Sequence, residues 1–167
     1  MREDLIVCME LLFFAYRDFT GDPDAVLVRY GFGRAHHRVV HFVNRNPGLS
    51  VADLLMILKI TKQSLARVLK QLIKKGFIVQ KPGKEDKRQR LLYATSKGSR
   101  LAEKLAELQM HRIEQALKAA GPGANEATRK FLFAMVGVKD RRQVEGLIET
   151  RFTQHRRQTK SSSSEKI

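Results

Sequence analysis

The sequence predicts a mainly α-helical fold that carries one small β-hairpin. Three observations predict it. Apolar residues recur at helical spacing over most of the chain from Asp4 to Ile148. The period changes once: the β-branched and aromatic run Phe77-Ile78-Val79-Gln80 is followed by a polar loop, Pro82 to Arg88, and a second short run, Gln89 to Ala94. Helix-start and helix-stop residues stand where the pattern breaks.

Asp4 to Phe19 reads as a helix that is apolar nearly all round. Such a helix must be covered on most sides, so a subunit interface is expected there, with a core inside the chain as the alternative. Gly21-Asp22-Pro23 is expected to break the chain, with Asp22 or Asp24 capping a short helix through Val28 and Gly31 and Gly33 ending it. Arg34 to Asn44 is a second helix, with Ala35, Val39, Val40 and Val43 inward, and Asn46-Pro47-Gly48 is a turn.

Ser50 starts the next helix, with Asp53 as its capping-box partner, and Val51, Leu54, Leu55, Ile57 and Leu58 pack. Lys59 and Ile60 connect it to ITKQSLARVLKQLIKKG, Ile60 to Gly76. Thr61 caps the start of that helix, and Gly76 supplies the left-handed residue at its end. Leu65, Val68, Leu69, Leu72 and Ile73 fall on one stripe. Gln63, Arg67, Lys70, Gln71 and Lys74 fall opposite, and that outer face holds no acid. A merely solvated face usually mixes signs, whereas Arg, Lys and Gln together suit base edges and phosphates. Two helices joined by so short a turn form a helix-turn-helix, and the hairpin after them makes it winged.

Thr95 caps a long helix, Ser96 to Ala120. Its apolar face drifts from Leu101, Leu105 and Leu108 to Met110, Ile113 and Leu117, as in a helix that packs on its own domain first and on something else later. Gly121-Pro122-Gly123 ends it. Asn125 to Val136 is a further helix, Gly137 interrupts, and Asp140 caps a last helix holding Val144, Leu147 and Ile148. From Gln154 to Ile167 apolar periodicity is lacking and disorder is expected. The plan is N-terminal helices (1–32) that include the expected subunit interface, a winged helix-turn-helix (33–98), C-terminal helices (99–153) and a tail (154–167).

The 167 residues carry a net charge of +15, which predicts a polyanionic partner. Lys59 to Arg100 holds thirteen bases against Glu85 and Asp86, or +11 of that total. The single cysteine, Cys8, excludes a disulfide framework within the chain and fits a reducing compartment. No signal peptide and no span long enough for a bilayer are recognised, so a cytoplasmic protein without membrane association is expected. No phosphate-binding glycine loop, triad or paired carboxylates support an enzyme.

The stretch DKRQRLLYATSKG, with Asp86, Arg88, Leu91, Thr95 and Gly98 in order, resembles the wing signature of the MarR family of bacterial transcription regulators. ITKQSLARVLKQLIKKGFI resembles the family's recognition helix and first wing strand, and PGLSVADLLMILKI the helix before them. Ala94, where the family usually has Leu, and Lys59, where Gly is common, depart from the pattern. FFAYRDFT and YGFGRAHHRVVHFVNRNPGLS resemble the family's PetP-type subgroup.

The resemblance implies a homodimer on double-stranded DNA, with the N-terminal helices (1–32) and the C-terminal helices (99–153) as its dimerisation helices and each recognition helix in a major groove of a near-palindromic site. Gln63 and Arg67 are the expected base readers, and Lys62, Ser64, Lys70 and Lys74 the expected phosphate contacts. Thr61 is first a cap, with a phosphate contact secondary. Arg88 is expected in the minor groove, held by Asp86, with Lys84, Lys87 and Arg90 on the backbone. The resemblance also implies a small effector between the dimer helices and the DNA-binding lobe. Phe13, Tyr16, Tyr30 and Phe32 are candidates for its pocket, with core packing as the alternative for each. His36, His37 and His41 are expected to make structural hydrogen bonds, since no Cys or acid accompanies them to complete a metal set. Cys8 is expected to be buried and inert. The competing functions are a non-specific architectural DNA binder and an RNA-binding or protein-docking winged helix.

Overall fold

The computed structural model describes residues 1–83 and 86–148. Lys84 and the expected tail at 154–167 therefore lie outside the described residues. The chain divides into two compact units, Met1–Gln115 and Ala116–Ile167.

In the first unit the helices are α1 (Arg2–Leu27), α2 (Arg34–Arg45), α3 (Val51–Leu58), α4 (Lys62–Lys74) and the start of α5 (Ser96–Ala120). A 3-10 turn, Val28–Tyr30, joins α1 to α2. The strands are β1 (Leu49–Ser50), β2 (Ile78–Pro82) and β3 (Arg90–Ala94). They form one antiparallel sheet in the order β1-β3-β2. The hairpin register runs from Ile78 opposite Ala94 to Pro82 opposite Arg90. Leu49 lies opposite Leu92 and Ser50 opposite Leu91. The expected two-stranded wing thus has a third strand at the root of α3. The core gathers Val39, Val40 and Val43 of α2, Leu54 and Leu58 of α3, the inner stripe of α4, Phe77, Ile78 and Leu92 of the hairpin, and Leu101 and Leu105 of α5.

The N-terminal helix overturns one expectation. Gly21-Asp22-Pro23 does not break it; α1 runs through all three residues, with Pro23 fully buried. A proline inside a helix removes the N–H that would reach four residues back. Here that carbonyl belongs to Phe19, and the Gln109 side-chain amide of α5 donates to it at 3.2 Å. Asp22 and Asp24 cap nothing. Asp22 accepts from Arg112 at 2.8 Å, and Asp24 accepts from Arg34 at 2.9 Å. Gly31 ends the 3-10 turn as expected, in the left-handed region (φ 66°), but Gly33 is the N-cap of α2, not a stop.

Smaller corrections follow from packing. Ile73, expected inward, lies at the edge of the α4 stripe and is exposed. Phe77 precedes β2 instead of opening it, and β2 extends to Pro82. Cys8 is exposed in the single chain, because α1 presents most of its apolar side chains to the outside.

The second unit contains the end of α5, α6 (Ala124–Met135) and a last helix, α7, described over residues 138–148. Asp140 is not the residue that precedes α7; it sits in the first turn, its N–H bonded to the Gly137 carbonyl at 2.8 Å. Between α6 and α7 lies a cavity of about 1050 Å³ lined by residues such as Leu132, Phe133, Val136, Val144 and Ile148. No helix among the described residues is long and apolar enough to cross a membrane.

Candidate nucleic-acid interface

Helix α4 has a defined start and stop. The Thr61 hydroxyl accepts from the Ser64 N–H at 3.1 Å and donates to the Ser64 hydroxyl at 3.0 Å. At the other end Phe77 N–H reaches back to the Leu72 carbonyl at 2.9 Å and Gly76 N–H to the Ile73 carbonyl at 3.0 Å. That pair of bonds is the Schellman arrangement, and it needs the left-handed backbone that Gly76 adopts at φ 74°. Leu65, Val68, Leu69 and Leu72 are buried between these ends. Lys62, Gln63, Arg67, Lys70, Gln71 and Lys74 are exposed, and Ser64 is half-buried. The anchored inner stripe therefore fixes the rotation of the helix, and the acid-free face turns to solvent.

The wing extends the same basic surface. The Asp86 carboxylate accepts from the Arg88 backbone N–H at 2.8 Å, and the Asp86 carbonyl accepts from Gln89 N–H at 3.0 Å. Asp86 thus shapes the loop around Arg88 through the backbone, a local turn of the kind Asp favours. Lys87, Arg88 and Arg90 are exposed. Because β1 pairs with β3, the wing and the start of α3 share one sheet.

Some of the bases serve the fold instead. Lys97 donates to the Lys75 carbonyl at 2.9 Å and lies over the Phe77 ring at 4.4 Å. Lys75 donates to the Tyr30 carbonyl and stands 5.1 Å over the Phe32 ring. Both cations sit at the C-terminal end of α4, where the helix dipole favours positive charge. Lys81 lies over the Tyr93 ring at 5.1 Å.

Two histidines of α2 have defined surroundings. His36 Nδ1 accepts from Gly33 N–H at 3.1 Å, its Nε2 is bonded to Gln71 Oε1, and its ring stacks on Phe32 at 4.6 Å. His37 is buried, and burial pushes its pKa below the ordinary value, with the Asp24 charge opposing. Among the described residues no three His, Cys, Asp or Glu side chains gather as a metal site would require.

The model of the MarR family matches residues 30–89, the span from the 3-10 turn to the wing tip. The HTH-type transcriptional regulator PetP of Rhodobacter capsulatus is 47% identical over 145 residues, covering 87% of each chain. This chain belongs to the MarR family. It is therefore a transcriptional regulator and not an enzyme. Solved MarR-family structures share its fold. FabT of Streptococcus pneumoniae, in complex with DNA, superimposes with a TM-score of 0.68 at 15% identity, covering 78% of this chain and 94% of that one. A mutant of MarR from E. coli, complexed with operator DNA, gives 0.59 at 21% identity, covering 80% of this chain and 95% of that one.

The MarR-like wing signature has a physical basis in this chain. Thr95 Oγ1 accepts from Gly98 N–H at 3.1 Å and donates to the Gly76 carbonyl at 2.7 Å. That hydroxyl ties the start of α5 to the end of α4. The departure at Lys59 is also legible: its φ is 51°, the left-handed region where Gly is least strained.

The four aromatics proposed for an effector pocket divide. Phe32 is 6% exposed and packs with Tyr30 and Phe77 at 6.0 and 5.2 Å between ring centres, so core packing accounts for it. Phe13 and Tyr16 are exposed on α1, with the Arg34 guanidinium 5.5 Å from the Tyr16 ring. The sequence reading missed the His36–Gln71 bond, which joins residues 35 apart, and the Gln109–Phe19 bond across 90. The buried Pro23 was the one available signal for the second.

Proposed function

We propose that this chain is a sequence-specific regulator that binds a near-palindromic double-stranded DNA operator as a homodimer and answers to a small effector. The observation that carries this is the exposed, acid-free face of α4 and a basic wing in the same compact unit. Gln63 and Arg67 are four residues apart on one ridge and read base edges in the major groove, Gln suiting adenine and Arg suiting guanine. Lys62, Ser64, Lys70 and Lys74 meet phosphate on either side. Arg88 enters the minor groove, while Lys84, Lys87 and Arg90 hold the backbone. The DNA held by the solved FabT and MarR relatives supports the same use of this fold here.

Two features support the dimer. Helix α1 leaves Leu5, Val7, Leu11 and Phe13 exposed, and α6 leaves Phe131, Leu132 and Met135 exposed. An effector would lodge where α1 meets the DNA-binding lobe, with Tyr16 and Tyr30 at hand.

The test selects a duplex from a random pool and titrates it, beside a shuffled duplex, at two salt concentrations. A specific regulator prefers the selected duplex by about 10³-fold or more. Arg67→Ala costs about 1–3 kcal/mol and relaxes the preference. Arg88→Ala weakens binding to every duplex and lowers the salt slope by about one unit. Equal binding to both duplexes would instead identify a non-specific architectural binder.

A further inference from the structure

Gln71 completes a ridge. Gln63, Arg67 and Gln71 follow one another at four-residue intervals along the exposed face of α4. A free glutamine offers an acceptor and two donors, and so could pair with many partners. Gln71 is not free in this sense. Gly33 is the first residue before α2, and its backbone N–H is a donor and nothing else. It points to His36 Nδ1 at 3.1 Å, so that nitrogen carries no proton. The neutral imidazole must then carry its proton on Nε2. Nε2 faces Gln71, so the amide must turn its oxygen to the histidine. Stacking on Phe32 at 4.6 Å and 13° holds the imidazole plane in place. A backbone N–H on α2 thus sets the polarity of a side chain on α4.

We propose that His36 is a positioning residue that fixes Gln71 as a donor-only contact to a DNA phosphate. With Oε1 engaged, the outward atom is Nε2, which offers two N–H groups and no acceptor. With the oxygen held toward α2, the two-point reading of adenine open to Gln63 is disfavoured, and the outward N–H groups match a phosphate oxygen. Gln71 also lies two turns beyond Gln63, toward the end of the helix that leaves the groove floor. The inference rests on α4 being the helix in the groove, as proposed above.

The experiment measures binding of the full chain to the selected and the shuffled duplex. The variants are Gln71→Leu, Gln71→Glu, His36→Phe and the double variant His36→Phe with Gln71→Leu, and thermal melting confirms that each is folded. Gln71→Leu is expected to weaken both duplexes alike by about fivefold, the net value of one hydrogen bond. Gln71→Glu keeps the acceptor for His36 but loses the donor, and weakens binding at least as much. His36→Phe retains the stacking and frees the amide, and costs about threefold. In the double variant the His36 change adds nothing, a signature that a merely structural role would not give. Arg67→Ala is the control. If it weakens binding while Gln71→Leu does not, the assignment of Gln71 is overturned alone. If neither matters, the groove reading of α4 falls and this inference with it. A loss confined to the selected duplex would place Gln71 on a base and overturn the phosphate assignment. Independent, multiplying losses in the double variant would overturn the role of His36.

Discussion

A β-carbon built at Gly98 would lie 2.0 Å from the Phe77 carbonyl oxygen. No rotamer change can relieve that contact, because the backbone fixes the position of a β-carbon and the oxygen belongs to the backbone. This explains the glycine of the Thr-x-x-Gly pattern: α5 starts directly against the end of α4, with Thr95 bonded across the junction. Gly98→Ala is expected to destabilise the fold by about 1–3 kcal/mol, read as a lower denaturation midpoint. His37 gives a second prediction. Its pKa is held below the ordinary 6.5 by burial, so the unfolded chain binds more protons just below that pH. The contribution of His37 to stability is therefore full above pH 6.5 and falls as the pH drops. In His37→Phe the fall between pH 6.5 and 5 should be shallower, and unfolding curves at several pH values that superimpose in slope would refute this. Caps were legible in the sequence because their chemistry is local. Thr61, Gly76 and the Ser50–Asp53 pair, with bonds of 3.1 and 3.2 Å, all act within a few residues of themselves. His36 was not legible as the partner of Gln71, since nothing local links residues on different helices.

Elements show the same division. Helices α2 to α4 and the start of α5 matched their apolar periods, because one face of each is buried against a common core. Strand β1 has only two residues, too few for any period, and exists because Leu92 lies opposite Leu49. Helix α1 was misread at Pro23 because an interior proline usually costs about 3 kcal/mol or more. Part of that cost is offset by Gln109, which satisfies the freed Phe19 carbonyl. Gln109→Leu should leave the carbonyl unpaired at a cost of about 1 kcal/mol or more. Amide hydrogen exchange should rise in the segment of α1 after Thr20, and unchanged protection there would show that the bond is incidental.

For the whole molecule, apolar exposure and charge are the informative quantities. Phe13 is 65% exposed in the single chain, with Leu5 and Leu11 similarly bare on the same helix. Scattered apolar residues are ordinary on a surface, but this many on one helix mark an interaction face. If this face carries the proposed homodimer, Phe13→Glu should shift the protein to monomer in sedimentation at micromolar concentration. Operator affinity should fall much more than affinity for a single half-site, since the second lobe would no longer be tethered. A variant that stays dimeric would place the interface elsewhere. The basic footprint was legible as a total. Its division was not: Lys75 and Lys97 are bonded to backbone carbonyls and lie over rings, while Lys62, Lys70 and Lys74 stand on the outer face of α4.

The proline in α1 also bears on how the chain is made. By removing its own N–H, Pro23 trades a bond that spans four residues for one that spans 90. The first half of α1 can close its ladder as soon as it leaves the ribosome, but Phe19 must wait for Gln109. At about 5–20 residues per second, that delay is roughly 5–20 s. A nascent chain arrested before α5 should hold the segment from Gly21 to Leu27 loosely and expose it to protease. The same segment should become protected once Gln109 and Arg112 have emerged.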